Sequence, residues 1–345
     1  MSEAQAWTFP MLRAAARLYG RGADLRRALR RTRAHRLARP VVSVGNIAVG
    51  GRNKTPVVAA IARMLHGWGE RPSILSRGYR REQPARDVVI VRDAEHMRAS
   101  LAESGDEPFM LARELPGCCV LVDPHRARAG ALAESTLQCT VHILDDGFQH
   151  VQLARDVNLV LLTLDDVLHG EVLPAGRLRE PLHALEDADA LLAVDTTVSR
   201  LRMALGRTPD LPIFEARRHL GPPRALSGTM DFSRLHEQPV LLVTAVAEPT
   251  RVADDLRQAG WTLADVVSFR DHHRYRADDL RTIAARARGV GAAAVITTAK
   301  DAVKLERYLP FDLPVAVIPL EVVIEPADEF GSWLRGRLSL DPEGA

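Results

Sequence analysis

A run of β-branched residues, Val41-Val42-Ser43-Val44, leads through Gly45 into Gly50-Gly51-Arg52-Asn53-Lys54-Thr55, and a helical pattern follows over 56–67. Few local sequences constrain a fold more tightly than a buried strand, a glycine-rich turn and a helix N-terminus in succession. Backbone N–H groups and the helix dipole then surround an anion, a lysine reaches its outer oxygens, and a threonine hydroxyl reaches a divalent cation. The strict phosphate-loop pattern is not met, since Ala48 and Asn53 stand where glycines belong. Asn is the non-glycine residue that best tolerates positive φ, so Asn53 is expected in the left-handed region. A purely structural glycine turn is the alternative reading.

Composition strengthens the loop. Lysine occurs only at 54, 300 and 304, and arginine supplies the other 43 of 46 basic residues. Lysine is a compact point charge and arginine a planar fork, so a retained lysine marks a site where the fork does not serve.

Short apolar runs alternate with helical stretches from Pro40 onward. Strands are expected at 41–44, 88–91, 118–122, 141–144, 159–162 and 190–194, and a second series near 240–243, 294–297 and 315–318. The fold class is therefore α/β: a P-loop NTPase-like, mostly parallel sheet with helices on both faces, plus a second, smaller α/β domain. Four segments are expected. Residues 1–39 form a basic amphipathic helical segment, 40–200 the nucleotide domain, 201–237 a proline-rich interdomain connection, and 238–345 the smaller domain with its tail.

Charge is uneven although the net is only +2. Residues 1–39 hold ten arginines against Glu3 and Asp24, while the rest carries 36 basic against 42 acidic residues. A basic arm on a mildly acidic body points to an anionic surface, and a helix over 8–38 with apolar Met11, Leu12, Ala15, Leu18 and Tyr19 suits a membrane interface. No stretch reaches the roughly 20 apolar residues that span a bilayer, and no secretory signal is visible, so a peripheral or soluble chain is expected. Aromatic residues make up 5% of the chain, too few to favour a stacking platform for single-stranded nucleic acid. Cys118, Cys119 and Cys139 lack CxxC spacing, which argues against a disulfide framework or a zinc site and for a reducing compartment.

A second motif, Thr140-Val141-His142-Ile143-Leu144-Asp145-Asp146-Gly147-Phe148-Gln149-His150, ends a buried strand in two aspartates. Carboxylates at the C-terminal edge of a parallel sheet lie where ligands bind and can hold Mg²⁺, although an Asp-Gly turn is also common. In Asp271-His272-His273, neighbouring histidines on a strand would face opposite ways, so joint metal ligation is not expected.

Taken together, the chain resembles the tetraacyldisaccharide 4′-kinase family, the lipid A 4′-kinases of Gram-negative bacteria. The likeness runs in order through both motifs, Ser76-Arg77-Gly78-Tyr79, Gly105-Asp106-Glu107-Pro108, Leu173–Pro181, Asp271-His272-His273 and Thr297–Leu305. It implies an ATP- and Mg²⁺-dependent kinase acting on the 4′-hydroxyl of tetraacyldisaccharide 1-phosphate, peripheral on the cytoplasmic face of the bacterial inner membrane. No nucleic acid and no obligate protein partner are implied. It assigns ATP to Gly50, Gly51, Arg52, Asn53, Lys54 and Thr55, and metal to Thr55, Asp145 and Asp146. Asp106 is implied as general base with His272 as its partner, and Arg77, Gln149, His150, Arg179 and Glu180 as substrate-positioning residues.

This chain departs from the family pattern at Arg52 and Asn53 (usually Thr and Gly), at Ala299 (usually Glu) and through Thr244–Pro249. These departures motivate a second reading, a catalytically weak relative that binds nucleotide or lipid as a regulator. A P-loop ATPase of another kind, such as an amide-forming ligase, is disfavoured by the runs Leu144–His150 and Leu173–Pro181.

Overall fold

The computed structural model describes residues 3–32, 34–50, 53–206, 211–227, 230–310 and 313–340. Its strands are β1 (Val41–Asn46), β2 (Pro72–Ser76), β3 (Val89–Arg92), β4 (Cys119–Val122), β5 (Val141–Asp145), β6 (Val157–Leu162) and β7 (Ala190–Val194). After them come β8 (Ile213–Leu220), β9 (Arg224–Ser227), β10 (Val240–Thr244), β11 (Leu263–Ser268), β12 (Ala294–Thr297), β13 (Val315–Val317) and β14 (Leu320–Glu325).

Nine strands form one sheet in the order β14-β8-β7-β6-β1-β5-β2-β4-β3, and five form another in the order β11-β10-β12-β13-β9. The large sheet is parallel from β4 to β8, with β3 and β14 antiparallel at its edges. β1, at its centre, is buried at all six positions, as a strand covered on both faces must be. Its side chains alternate, Val42 and Val44 packing on one face with Ile61, Leu65, Phe330 and Leu334, and Val41 on the other with Leu75, Leu144 and Leu153. Ile61 and Leu65 come from the helix Lys54–Gly67, whose buried Val57, Val58, Ile61, Ala62 and Leu65 follow the helical period. Truncating such a residue to Ala costs about 2–5 kcal/mol.

The small sheet repeats this logic: Val240 and Leu242 face one core, Leu241 and Val243 the other. The crevice beside β1 opens where the chain first passes from β1 to β2 and later from β5 across β1 to β6, the crossover geometry at which parallel sheets bind ligands.

The expected boundaries at 201–237 and 238–345 do not follow the sheets. The stretch read as a connection contains β8, which joins the large sheet, and β9, which joins the small one. The tail returns: β14 pairs antiparallel with β8, and the helix Ala327–Leu338 packs Phe330 and Leu334 into the large core. Pairing between segments so distant in sequence leaves no local trace. β2 and β11 were not expected either; the serines of β2 and Asp265 in β11 interrupt the apolar runs that mark strands.

The N-terminal helix spans Glu3–Arg31 rather than 8–38. One face lies on the body, where Arg13 meets Glu171 at 2.8 Å, and Arg27 meets Glu180 at 2.6 Å and Asp187 at 2.5 Å. Arg27 also stacks 4.4 Å over the Phe148 ring. Part of the basic arm is therefore neutralised by the chain's own carboxylates. The opposite face leaves Met11, Leu18, Leu25 and Leu29 more than 60% exposed, flanked by exposed Arg21, Arg26 and Arg30. No described helix is long and apolar enough to cross a membrane.

Candidate active site

β1 ends at Asn46, and its chain turns through Gly50 at φ 104° to reach Asn53, the residue before the helix Lys54–Gly67. Gly51 and Arg52 lie outside the described residues. Asn53 has φ 57° and ψ 25°, the left-handed conformation expected of a non-glycine residue at this point. The helix begins at Lys54, ahead of the expected Pro56, so Lys54 and Thr55 occupy its first turn. Lys54 Nζ donates to Asn46 Oδ1 at 3.1 Å and lies 3.4 Å from Asp146 Oδ1. Gly45 is obligatory for packing: a Cβ there would meet Phe148 Cβ and N at 2.6 Å, so the turn after β5 presses on the strand that feeds the loop.

β5 delivers the two aspartates. Asp145 ends the strand and is buried; burial, then the charges of Asp146 and Glu107, push its carboxyl up to about 7. Asp146 follows at φ 54°. Burial works against its charge, but Lys54 and Arg179 outweigh it and hold the carboxyl below its usual range. Arg179 grips Asp146 with both arms, at 3.0 and 3.2 Å, and donates to Asn46 Oδ1 at 2.6 Å. Its own backbone N–H bonds Ile47 O at 2.6 Å, which ties Leu173–Pro181 to the phosphate loop.

The remaining sequence-derived residues are placed unevenly. Gln149 donates to Asn46 O at 2.9 Å. His150 stands beside the loop His125-Arg126, and burial, with the positive charge of Arg126 and Arg155, pushes its ring down to about 4. Glu180 is buried against Arg27 and does not join the Lys54 group; burial raises its carboxyl despite that partner. Arg77 follows β2 and is exposed.

Asp106 and His272 come from the two halves and meet. Gly105, at φ 88°, opens the helix Asp106–Glu114, and the N-terminal end of that helix favours a carboxylate. His272 lies in a turn after β11, not on a strand, at φ 61°; its Nδ1 is 3.2 Å from Asp106 Oδ2. The adjacent His273 turns away to Asp279 at 2.9 Å and stacks on Phe269. Burial disfavours charge on Asp106, yet the His272 hydrogen bond and the nearby Lys304 and Lys300 hold its carboxyl below the usual range. The Tyr79 and His272 rings meet edge to face, 5.9 Å between centroids. Glu107, next to Asp106, connects this pair to the β5 aspartates through its charge on Asp145.

Sequence reading missed Arg126 and Asn46. Arg126 is 5% exposed, begins the helix Arg126–Ser135, and feels the charge of Asp145. Its only sequence signal is the Asp-Pro-His-Arg turn after β4. Four buried donors of this region, Asn46 Nδ2, Asn53 Nδ2, Arg126 Nε and Arg179 Nε, have no hydrogen-bond partner among the described residues. An unsatisfied buried donor costs about 1–3 kcal/mol, so several around one crevice mark the place of an anion with many acceptor oxygens.

Lysine at a helix start, unpaired donors around it and acidic residues on the neighbouring strand suit a nucleotide's phosphates. An acid–imidazole pair suits removal of a proton from an acceptor. Fold and site thus define a phosphotransferase of the P-loop class. A family profile described as tetraacyldisaccharide-1-P 4′-kinase matches residues 8–339, and the chain belongs to that family.

Relatives agree. A tetraacyldisaccharide 4′-kinase of Geobacter metallireducens is 40% identical over 276 residues, covering 79% of this chain and 80% of that one. One from Nitratidesulfovibrio vulgaris is 38% identical over 305 residues, covering 85% and 82%. Among solved structures, an "apo" form LpxK from Aquifex aeolicus in complex with ATP superposes with a TM-score of 0.77 at 30% identity, covering 94% of this chain and 98% of that one.

Proposed function

We propose that this chain transfers the γ-phosphoryl group of ATP to the 4′-hydroxyl of tetraacyldisaccharide 1-phosphate. The observation that carries the reading is the Asp106–His272 contact, linked to the group of Lys54, Asp145 and Asp146 by Glu107, which follows Asp106 and whose charge acts on Asp145.

Phosphoryl transfer asks a protein mainly for positioning and charge neutralisation. Lys54 and the backbone N–H groups of the loop, Gly50 to Thr55, bind the phosphates, and the unpaired donors of Asn46, Asn53, Arg126 and Arg179 suit the same oxygens. Gln149 and Arg179 brace the Asn46 end of the loop. Asp106, oriented by His272, accepts the proton of the attacking hydroxyl. Arg77 and His150 are assigned to the sugar side, and Glu180 to holding the N-terminal helix through Arg27.

The residues present fit Mg²⁺. Thr55, Asp145 and Asp146 offer hard oxygen donors, and burial, then the charges of Asp146 and Glu107, raise the Asp145 carboxyl, which a bound cation would favour in its ionised form. Among the described residues no three His, Cys, Asp or Glu side chains form a metal cage, as suits an ion held by one or two carboxylates and its substrate's phosphates. Bound there, Mg²⁺ would neutralise charge developing on the phosphoryl oxygens.

The apolar stripe Met11, Leu18, Leu25 and Leu29 with flanking arginines supports peripheral attachment to the cytoplasmic face of the inner membrane. Each unpaired arginine would contribute roughly 1 kcal/mol near anionic lipid. The regulator reading loses part of its motivation because Asn53 adopts the conformation a glycine would take there. The decisive experiment incubates purified protein with ATP, Mg²⁺ and the lipid disaccharide. A 4′-phosphorylated product is expected, and yield no higher than that of Lys54→Ala would refute the reading.

A further inference from the structure

Two of the three lysines lie outside the phosphate loop, on the helix Ala299–Leu305, which packs against the helix beginning at Asp106. Their surroundings differ. Lys304 is buried, 2.7 Å from Asp301 Oδ1 and near the Tyr275 ring. Asp301 in turn accepts from Thr244 Oγ1, the Ala245 N–H and Thr298 Oγ1. Most of that arrangement lies within the smaller half, and its one reach beyond it is the longer approach of Lys304 Nζ to Asp106 Oδ2 at 3.9 Å.

Lys300 instead joins the two halves directly. Its Nζ lies 2.7 Å from Glu107 Oε1, 3.3 Å from His272 Nε2 and 3.4 Å from Asp271 Oδ1. Three acceptors thus meet the three donors of one ammonium. A planar guanidinium does not offer that tripod, which gives a reason for lysine here in a chain that uses arginine almost everywhere else.

An ammonium has no lone pair, so it can only donate. His272 Nε2 must then be the unprotonated nitrogen. The ring proton sits on Nδ1, the atom that faces Asp106 Oδ2 at 3.2 Å. The other tautomer would set an N–H against the ammonium and a lone pair against the carboxylate, two repulsions in place of two attractions.

We propose that Lys300 is a positioning residue for the proton-accepting pair: it locks His272 in the Nδ1–H tautomer and, through Glu107, latches the His272 turn onto the helix that carries Asp106. The proposal rests on the assignment of Asp106 and His272 made above. The groups facing His272 are Asp106 and Glu107 from one half, Asp271 and Lys300 from the other, and the Tyr79 ring. With Nδ1–H donating to one carboxylate oxygen, Asp106 keeps its other oxygen for the incoming hydroxyl proton. Nothing is oxidised and no bond to Lys300 forms.

The test uses the full-length protein with ¹⁵N-labelled histidine. The His272 ring resonances are assigned by their loss in His272→Gln. In the wild type, Nδ1 is expected to carry the proton, and an Nε2–H ring would overturn the proposal without any variant. In Lys300→Met the ring is expected to shift toward Nε2–H, with kcat down about ten- to hundredfold and KM for ATP within about twofold. Lys300→Arg, which also only donates, should restore the Nδ1–H signature and part of the turnover. An unchanged ring in Lys300→Met, or unchanged kcat, overturns the proposal. The ring signature needs no substrate, so a failure of the kinase reading would show separately, as absence of product from the wild type.

Discussion

His272 Nδ1 stands 3.2 Å from Asp106 Oδ2, although 166 positions separate the two residues and each belongs to a half built on a different sheet. The contact depends on how the two halves meet. Ion pairs Arg113–Glu306 at 2.8 Å and Arg224–Glu114 at 3.0 Å fasten the same helix, Asp106–Glu114, to elements beyond the large sheet.

Replacing Asp106 with Asn keeps the shape and removes the base. Turnover of the lipid substrate is expected to fall about 10²- to 10⁴-fold, with little change in KM for ATP. Steady-state kinetics on the purified variant give the answer; more than a tenth of wild-type turnover would exclude Asp106 as the base.

Asn53→Gly should change little. The backbone is already left-handed, and exchanging Asn for Gly at a helix entry shifts stability by only a few tenths of a kcal/mol. Turnover within about twofold of wild type is the expected result. A large gain would mean that the Asn53 side chain obstructs the phosphates and would revive the weak-relative reading. Asn53→Ala, by contrast, must bear the left-handed cost of roughly 1–2 kcal/mol.

Gly45→Ala places a methyl group 2.6 Å from Phe148 Cβ and backbone N. Overpacking of this kind costs about 1–3 kcal/mol, and the displaced turn carries Asp146 and Gln149. Both the urea midpoint and the affinity for an ATP analogue should fall. Loss of stability with affinity intact would show that the turn moves without disturbing the loop.

His150 supplies a pH signature. Its ring titrates near 4 in the folded protein, pushed down by burial and neighbouring arginines, against about 6.5 in the unfolded chain. Between these values the unfolded state binds more protons, so stability falls as pH drops from about 6.5 towards 4. His150→Gln should flatten that part of the profile by on the order of 2 kcal/mol. Urea titrations at pH 7 and 4.5 compare the two proteins, and parallel losses would argue that other groups set the acid sensitivity.

The phosphate loop was legible because its parts are contiguous. Strand, turn, rare lysine and helix follow one another, and the conformation of Asn53 could be stated from residue chemistry alone. Asp145 and Asp146 were legible as the end of a buried strand. Arg126 was not, since one arginine among 43 carries no mark of its burial. The basic helix read as free charge, but Glu180 and Asp187, more than 150 positions away, hold Arg27.

By itself, then, the sequence determined the α/β alternation, the left-handed Asn53 and the lysine that follows it, because each arises from interactions between near neighbours. The tertiary structure decided that β14 returns to the first sheet, that Arg179 clamps Asp146, that His272 reaches Asp106 and that Lys300 reaches Glu107. Those outcomes depend on long-range strand pairing and on the docking of one half against the other. Hydrogen bonds and ion pairs at that range constrain residue type so weakly that only the folded chain reveals them.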